Sequence, residues 1–485
     1  MHKFNGILNE VNILNNVRTF GAVGDGLIKD TEAIQRAIDC GGKIYFPPGT
    51  YLTGTLYLPS NCELELSAGA IIVGSPDRED YNAADFCSQN RASVVEKASG
   101  AHLIVALEVE NISIRGCGRI EGNRAAFFDP GKFASREEFT GWRPSQMLFF
   151  CECKNVLIEN ITLTNSPYWS CFIHGCTDVI IRGVKIDNQP REAWNGDGID
   201  IDCSRRVCVS DCIIRTSDDC ITVRASGFER LKNCPEGICE NVVISNCVLL
   251  NGHCGVRFGV GTGIIRNCTV SNVCIRDTWY GLGLHTTYLP KIFPSGAPGC
   301  DIYNILFDNI SIDDCGTPFY IMSNCFRPPL QRSDKSISGI MFRGIRAKGV
   351  GNCLIQGNIE PNISDIMFVD VTLELSGGEK IIDDIPDEER RGYMFCRYPY
   401  GFYISNAETI TFRNFKFHWQ NESELWRSAF RIKNNTMGIK FESCEIESPK
   451  QGVGIIGCPN AFQWVSGKAQ IVNPSEEQDT MDSRC

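Results

Sequence analysis

Six aspartates fall in one short stretch, WNGDGIDIDCSRRVCVSDCIIRTSDDC, which runs from Trp194 to Cys220. Two of them, Asp218 and Asp219, are adjacent and are followed by Cys and Ile. A carboxylate among apolar residues is rarely buried without a partner. Carboxyl groups gathered in this way can supply the acid and the base that cleave a glycosidic bond, but a run of turn carboxylates has the same composition. The positions of these residues within the repeat of the chain distinguish the two interpretations.

The composition is that of a globular protein, with 485 residues of which 43% are hydrophobic. The formal net charge of −11 and the lack of a basic stripe argue against a nucleic-acid partner. No run of about 18 apolar residues occurs, so no membrane span is expected. The first residues, MHKFNGILNEVNILNN, lack an apolar core of signal-peptide length, so the 26 Cys predict reduced, buried thiols and a cytoplasmic protein.

A six-residue pattern recurs eleven times from residue 111 onward. Its second and fourth positions are apolar, apart from Cys268, which fits a strand with one face inward. Its sixth position is Gly, Asn or Asp in ten of the eleven copies, and these residues tolerate the left-handed backbone of a sharp bend. The copies begin at Asn111, Asn155, Asp178, Arg206, Asn241, Asn267, Asn304, Gly339, Asp365, Thr409 and Gly438.

An all-β parallel β-helix, with one coil for each copy, satisfies this pattern, whereas the consensus of leucine-rich repeats is absent. Thr31 is expected to cap a short helix, Glu32 to Asp39, that covers the N-terminal end of the coils. Stacked Asn side chains should hydrogen-bond along the axis at the bends. We predict a single domain over residues 1–485, with a cap region to about residue 60 and a polar tail from about residue 474. One inward column is expected to hold Cys117, Cys212, Cys247 and Cys444.

The motifs resemble those of glycoside hydrolase family 28, the polygalacturonase-like family of the pectin-lyase-like β-helix group. NGDGID corresponds to the family's NTDGxD, SDDC to its GDDC and GHCG to its GHGG. FGAVGDG, DTEAIQRAID, SPYW and RP have counterparts as well, so the resemblance covers nearly the whole chain. It implies a right-handed parallel β-helix and a glycosidase that acts on an oligosaccharide without a metal or other cofactor.

The resemblance also implies roles for the acids. Asp218 would be the general acid, Asp197 and Asp219 would position the water, and His253 would tune the acid or touch the sugar. The family inverts the anomeric configuration, so the acid and base carboxyls should lie roughly 6.5–9.5 Å apart. Three crowded acids repel one another, so one should retain its proton near neutral pH.

The repeat places these residues on successive coils. Asp218, His253 and Trp279 each lie twelve residues after the start of their copy, which predicts one column. Matching DGIDIDC to DDCITVR adds Asp197 to that column, one coil earlier. The same match puts Asp200 and Asp202 level with Ile221 and Val223, as hydrogen-bonded scaffold, and the repeat makes Asp211 a bend residue.

Two cations of the family's uronate clamp are missing, because Gly283 and His285 stand where an Arg and a Lys are usual. Arg224 and Arg257 fall on outward positions, where they are either a relocated clamp for a substrate carboxylate or solvated arginines. The substrate could thus be a galacturonate-containing pectic oligosaccharide or one built from neutral or modified sugars. Further candidates for contact with sugar are Trp194, Trp279, Tyr280 and His285.

Long insertions carry other aromatic and basic residues, and loops of this kind favour a walled, exo-acting pocket over an open cleft. Two other classes of function stay open: a β-helix polysaccharide lyase with a Ca²⁺ cage of aspartates, and a solenoid that binds carbohydrate without catalysis. The insertion residues in question are Tyr288, Phe326, Arg327, Tyr398 and Tyr400.

Overall fold

The computed structural model describes most of the chain. The described residues are 15–90, 98–128, 141–188, 195–226, 228–286, 299–323, 335–357, 362–377, 398–420, 425–433, 436–458 and 460–472. Within them, 57% of residues are in strands and 6% in helices, and every strand pairing is parallel. The fold is a right-handed parallel β-helix, as predicted.

Each coil contributes one strand to a sheet that we call the site sheet, because it leads to the candidate catalytic residues. Apolar side chains alternate along these strands and point into the solenoid. Among the described residues the site sheet has 14 strands: Leu56–Tyr57, Ile104–Leu107, Leu148–Cys151, Cys171–His174, Ile199–Asp202, Ile221–Ala225, Cys254–Gly261, Tyr280–His285, Thr317–Met322, Cys353–Gln356, Tyr400–Ser405, Ser428–Ile432, Val453–Gly457 and Ile471–Val472.

The remaining strands form a second sheet, the bent sheet, which folds along its length where each coil turns. In the part of the chain that is described it has 28 strands. They are Asn15–Asn16, Asp25–Lys29, Gly42–Phe46, Gly49–Thr53, Cys62–Leu66, Ala70–Gly74, Glu110–Gly116, Arg119–Glu121, Lys154–Glu159, Thr162–Thr164, Thr177–Arg182, Lys185–Asp187, Arg205–Ser210, Ile213–Arg215, Ile238–Ser245, Val248–Leu250, Ile264–Arg276, Asp301–Cys315, Ile337–Arg343, Arg346–Gly349, Ile363–Val369, Thr372–Leu375, Ala407–Arg413, Lys416–Trp419, Ile439–Glu442, Cys444–Ile446, Phe462–Trp464 and Gly467–Lys468.

The repeat pattern accounts for the bends. All eleven residues at the sixth position have positive φ, including Ser443 at 55°, which confirms the predicted left-handed bends. The first position of every copy has positive φ as well, so each repeated strand begins and ends at such a bend. Side-chain amides link neighbouring coils at these positions, as expected; one chain of them runs from Asn309 to Asn272 (2.8 Å), then to Asn246 (3.3 Å) and Asp211 (3.2 Å).

Helix α1, Thr31–Asp39, buries Ala33, Ile34, Ala37 and Ile38 against the first coils, as predicted. The prediction that Thr31 caps it is wrong, because Asp30 is the N-cap residue and Thr31 is already helical. The Asp30 carboxylate instead accepts hydrogen bonds from the backbone N–H groups of Val23 and Gly24, and Thr31 Oγ1 accepts one from Gly54. The short 3-10 helices among the described residues are Val17–Phe20, Arg78–Asp80, Ser88–Asn90, Arg124–Ala126 and Phe228–Arg230.

Every second- and fourth-position side chain of the repeat is buried, including that of Cys268. Cys212, Cys247 and Cys444 are buried in their predicted column, but Cys117 is exposed. The physical reason is one extra residue after the bend at Gly116, since Gly118, not Cys117, pairs with the next coil through Thr162. All cysteines within the described ranges are free thiols. No helix in those ranges is long and apolar enough to cross a membrane.

Candidate active site

Four adjacent strands of the site sheet bring the predicted residues together. They are Ile199–Asp202, Ile221–Ala225, Cys254–Gly261 and Tyr280–His285, paired in that order. The functional residues lie just before or within these strands. The backbone N–H of His253 donates to the carbonyl of Asp218 (2.9 Å), and that of Tyr280 donates to His253 (2.8 Å). Asp218, His253 and Trp279 therefore form one column, as the repeat predicted.

The predicted register of Asp197 is wrong by one residue. Ile199 pairs with Ile221, so Asp197 is level with Asp219 and not with Asp218. The same pairing puts Asp200 beside Thr222 and Asp202 beside Arg224, and not beside Ile221 and Val223. Both carboxylates consequently point away from the apolar core, although they are fully buried.

Two glycines of the NGDG motif allow this tight approach of coils. A Cβ atom on Gly196 would lie 2.1 Å from Ser217 Oγ, and one on Gly198 would lie 2.3 Å from the carbonyl oxygen of Cys220. A side chain at Gly198 would require the backbone to move, and one at Gly196 would require the Ser217 hydroxyl to move. The backbone carbonyl of Asp197 between them accepts hydrogen bonds from the N–H (3.0 Å) and the Oγ (2.9 Å) of Ser170. The motif thus holds Asp197 against the next coil.

Asp219 is buried and paired with cations or donors on both of its oxygens. Arg257 Nη1 donates to Oδ2 at 2.9 Å, and His253 Nδ1 lies 3.3 Å from Oδ1. Burial by itself raises the pKa of Asp219, but Arg257 first and His253 second outweigh it and lower the pKa below its usual value. The surroundings of Asp219 therefore favour its ionised form.

Asp197 has the opposite environment. Its side chain is buried and its Oδ1 has no hydrogen-bond partner. Burial, followed by the charges of Asp218, Asp200 and Asp219, raises the pKa of Asp197 well above its usual value. Of these acids, Asp197 is therefore the one whose surroundings favour the protonated form. Asp218 is partly exposed, and its Oδ1 accepts the backbone N–H of Asp219 at 3.1 Å.

An aromatic group borders the acids on the C-terminal side. The ring of His253 lies 5.2 Å from the rings of both Trp279 and Tyr280, measured between centroids. His253 and Trp279 are partly exposed, whereas Tyr280 is buried and packs on Tyr320 at 4.6 Å. Sugar rings stack on exposed aromatic faces of this kind.

Arg224 lies in a different environment from Arg257. It points outward from its strand, as predicted, but it is only 4% exposed and forms ion pairs with Asp200 (3.5 Å) and Asp202 (3.8 Å). Its guanidinium also lies 4.4 Å from the centroid of the Trp169 ring. The solvated-arginine interpretation is therefore wrong for Arg224, because carboxylates and an indole ring enclose it.

The positions of the missing cations hold no positive charge. Gly283 pairs with Arg257 across the sheet, as predicted, and His285 is partly exposed, with a buried Nε2 that has no hydrogen-bond partner. Burial, and then the charge of Arg257, lowers the pKa of His285 well below its usual value, so the ring is neutral. Tyr398 and Tyr400 are buried in the aromatic group, while Trp194, Tyr288, Phe326 and Arg327 lie outside the described residues.

One group in the described ranges has the composition of a metal site. Ligand atoms of Asp218, Asp219 and His253 lie within 4.8 Å of one another. Two of these atoms, Nδ1 of His253 and Oδ1 of Asp219, already face each other. Asp200 and Asp202, which a Ca²⁺ cage of the lyase type would need, are paired with Arg224 instead. The donor set suits acid/base chemistry better than a calcium cage.

Comparison with known proteins identifies the family. The model of "Glycosyl hydrolases family 28" matches residues 68–388, a segment that includes Asp197, Asp218, Asp219 and His253. The chain belongs to glycosyl hydrolase family 28. A second model, "Rhamnogalacturonase A/epimerase, pectate lyase-like", matches residues 14–106, which contain helix α1 and the first coils.

Relatives of this family 28 chain include a probable polygalacturonase of Arabidopsis thaliana, 26% identical over 321 residues, which are 63% of this chain and 60% of that protein. An exo-poly-alpha-D-galacturonosidase of Dickeya chrysanthemi is 27% identical over 341 residues, 61% of this chain and 55% of the relative. The solved family 28 exopolygalacturonase of Yersinia enterocolitica has the same fold, with a TM-score of 0.64 at 19% identity over 91% of this chain and 78% of that one.

Several residues that shape this family 28 site escaped the sequence analysis. Trp169 and His174 lie on the preceding coil, where His174 Nδ1 is 3.7 Å from Asp202, and Tyr320 lies on the coil after Tyr280. Trp169 belongs to the SPYW motif, so a signal was present, although the motif does not reveal that its ring covers an arginine. Tyr320 could be found only by extending the outward positions of the strands from coil to coil.

Proposed function

We propose that the protein is a glycoside hydrolase that cleaves O-glycosidic bonds of pectin-derived, galacturonate-containing oligosaccharides, with inversion and from a chain end. The observation that carries the proposal is the meeting of Asp197, Asp218, Asp219 and His253 on adjacent coils, beside the partly exposed ring of Trp279. Family membership supports the reaction type. The names of relatives that are polygalacturonases and an exo-galacturonosidase support the substrate and the exo mode.

The different surroundings of the acids assign them different catalytic roles. Asp218, as the partly exposed acid, delivers a proton to the glycosidic oxygen, while burial and the neighbouring acids raise the pKa of Asp197 beside it. Asp219 is held ionised by Arg257 and His253, so it takes a proton from the attacking water. The water oxygen bonds to the anomeric carbon as the bond to the leaving oxygen breaks, which inverts the configuration. The resemblance gives Asp197 the role of positioning the water together with Asp219; in this proposal the raised pKa of Asp197 leaves Asp219 as the base.

The proposal is tested with Asp218→Asn and Asp219→Asn, which keep the shape of each side chain but remove its acid/base function. We expect kcat on oligogalacturonides to fall by roughly 10²–10⁴ for each variant. Asp211→Asn is the matched control, because Asp211 is an exposed bend residue on the same coil and Asn tolerates its φ of 59°. Unchanged turnover in Asp218→Asn would refute the catalytic assignment.

The reaction products distinguish a hydrolase from a lyase and exo cleavage from endo cleavage. Hydrolysis yields reducing ends without a new double bond, so ultraviolet absorbance stays constant, whereas a lyase would increase it. Proton NMR of the first turnovers should show the inverted anomer. Chromatography should show monosaccharide release from the outset, and a ladder of intermediate oligomers would exclude the exo mode.

A further inference from the structure

The outer face of the bent sheet carries an uncharged row of side chains over seven successive coils. The row consists of the third-position residues of the second to eighth copies of the repeat, which point outward because the second and fourth positions are buried in the core. Strand pairing places these residues side by side, one from each coil. In chain order they are Leu157, Ile180, Cys208, Val243, Thr269, Leu306 and Met341.

The middle of this row is open to solvent. Ile180 is 45% exposed and Val243 is 39% exposed, and Cys208 between them is exposed as well. A sheet that faces water on one side usually has polar residues on that side, and contiguous apolar side chains there mark interaction surfaces. The row is therefore a candidate contact surface on a different sheet from the candidate active site.

The charges beside this row are arranged symmetrically. The fifth position of the repeat is serine in the three central copies: Ser210, Ser245 and Ser271. Counted from the coil of Ser245 by strand pairing, Arg182 lies two coils earlier and Asp308 two coils later. Glu159 lies three coils earlier and Arg343 three coils later. Opposite charges thus occupy equivalent positions on the two sides of the central coil.

This arrangement is complementary to itself under a two-fold axis. A second copy, turned by half a turn about the strand Ile238–Ser245 and laid on this face, keeps each position along the strand but reverses the order of the coils. Arg182 of one copy would then face Asp308 of the other, and Glu159 would face Arg343. Within each copy the Arg182 Nε donates to Glu159 and the Arg343 Nε donates to Asp308 (2.7 Å), so the facing pairs would form squares of alternating charge.

The uncharged row follows the same symmetry. Ile180 of one copy would face Leu306 of the other. Leu157 would face Met341 in the same way, and Val243, on the axis, would face its own equivalent. Seven coils spaced by ~4.8 Å, with strands of about 20 Å, give roughly 600 Å² for each copy, so a dimer would bury about 1,200 Å² in total, at the lower end of specific interfaces.

We propose that the protein forms a two-fold symmetric dimer through this face of the bent sheet, with a second copy of the chain as the partner. Burial of the uncharged row drives the association, and the charges beside it fix the relative orientation of the two copies. The strands that carry the candidate catalytic residues belong to the site sheet, so the contact uses none of those residues.

Sedimentation equilibrium between about 1 and 200 µM tests the dimer. We expect a micromolar dissociation constant that increases with salt, because salt screens the facing charges. Val243→Glu places like charges on the axis and should raise the dissociation constant by about 100-fold or more. Val465→Glu is the matched control and should leave the dimer intact, because Val465 is 52% exposed but follows the strand Phe462–Trp464 in the last coils. A wild-type protein that stays monomeric over this range, or a dimer that Val243→Glu does not weaken, would overturn the proposal.

Charge reversal tests the orientation of the two copies. Arg182 and Asp308 are four coils, or ~19 Å, apart in one copy, so their effects on association should add unless the two residues meet across the interface. Arg182→Glu and Asp308→Arg should each weaken the dimer by about tenfold, and the double variant should return to within about threefold of the wild type. Both side chains lie on the surface, and thermal unfolding checks that the variants are folded. Losses that simply add in the double variant would refute the two-fold arrangement.

Discussion

Asp218 and Asp219 are neighbours in sequence, yet their carboxyl groups have different surroundings. Asp219 is buried between Arg257 and His253, whereas Asp218 is partly exposed and bonded only to a backbone N–H among the contacts described above. Asp197, level with Asp219 on the previous coil, is buried, and its Oδ1 has no hydrogen-bond partner. Environments that separate the protonation of nearby carboxyl groups are how one site provides both an acid and a base. Arg257 is the residue that creates the separation here.

Replacing Arg257 with Gln should move the acidic limb of the kcat/KM profile to higher pH by roughly one to three pH units. With the cation present, Asp219 has a depressed pKa and stays charged as the pH falls. Without Arg257, burial raises the pKa of Asp219, so the base becomes protonated at a higher pH. The contribution of Asp219 to folding stability follows from the same shift. Because its pKa is lower in the folded protein than in the unfolded chain, this stabilisation is present above the unfolded pKa and is lost as the pH falls through the folded pKa.

Arg276→Gln is the matched control for this profile. Arg276 also pairs with an aspartate, Asp314, but both side chains are more than half exposed, and the pair lies on the bent sheet. Its removal should leave both limbs of the profile unchanged. An Arg257→Gln enzyme with lower activity but an unshifted acidic limb would show that Arg257 acts only on packing or substrate binding.

The strands and bends were largely predictable from the sequence, because an apolar period of two and a left-handed bend residue are local requirements. The register of Asp197 was not predicted, because DGIDIDC was matched to DDCITVR through the first aspartate of each segment. In the protein the buried Ile199 and Ile201 pair with Ile221 and Val223, so the apolar alternation fixes the register. The left-handed first position of each repeat is not predictable from residue type, because Arg206 and Thr409 are unusual there.

The outward face of the site sheet was the least predictable element. Outward positions are expected to be solvated, yet Arg224 is enclosed by side chains from neighbouring coils. Packing on that face depends on residues that are far apart in the chain, such as Trp169 and Arg224, which no local pattern relates. The ion pair between Arg257 and Asp219 was likewise not predictable from the sequence, although the repeat gave the column of each residue.

Arg224→Met should destabilise the fold by about 3–5 kcal/mol, because it leaves Asp200 and Asp202 buried without their cation. Urea unfolding measures this loss. Adding Asp200→Asn to Arg224→Met should recover part of it, since one uncompensated charge disappears. If the double variant is as unstable as the single one, the carboxylate charge is not the cause and the contact with Trp169 is.

The bend residue Asn309 provides a test of the left-handed backbone and of the amide hydrogen bonds that link neighbouring coils. Asn309 has a φ of 52°, and its side chain donates to Asn272 at 2.8 Å. Asn309→Ala loses the hydrogen bond and forces a Cβ residue without a local partner into the left-handed region, at a cost of about 1–2 kcal/mol for the backbone alone. Asn309→Gly loses only the hydrogen bond, so it should be the more stable variant in thermal unfolding. Because both variants lose the same hydrogen bond, the reverse order would mean that the left-handed backbone conformation does not limit the stability of the alanine variant.

Across the whole molecule the core changes character along the axis. The fourth position of the repeat is aliphatic in the first six copies and Phe in the last five, and the phenyl rings stack from coil to coil. Phe368 lies in the middle of this stack, 4.7 Å from Phe342 and 4.9 Å from Phe412. The candidate catalytic acids belong to the aliphatic part. Because each coil contacts mainly its neighbours, the two parts can respond separately to a local change.

Phe368→Ala should therefore cost about 3–5 kcal/mol and should loosen the C-terminal coils before those that carry the acids. Hydrogen exchange should show faster exchange in the strands Ile337–Arg343, Ile363–Val369 and Ala407–Arg413, with protection retained in Ile199–Asp202 and Ile221–Ala225. Phe368→Leu, which keeps much of the volume, is the control and should change exchange less. If Phe368→Ala exposes all five strands equally, the solenoid unfolds as one cooperative unit and the separation of its two parts is refuted.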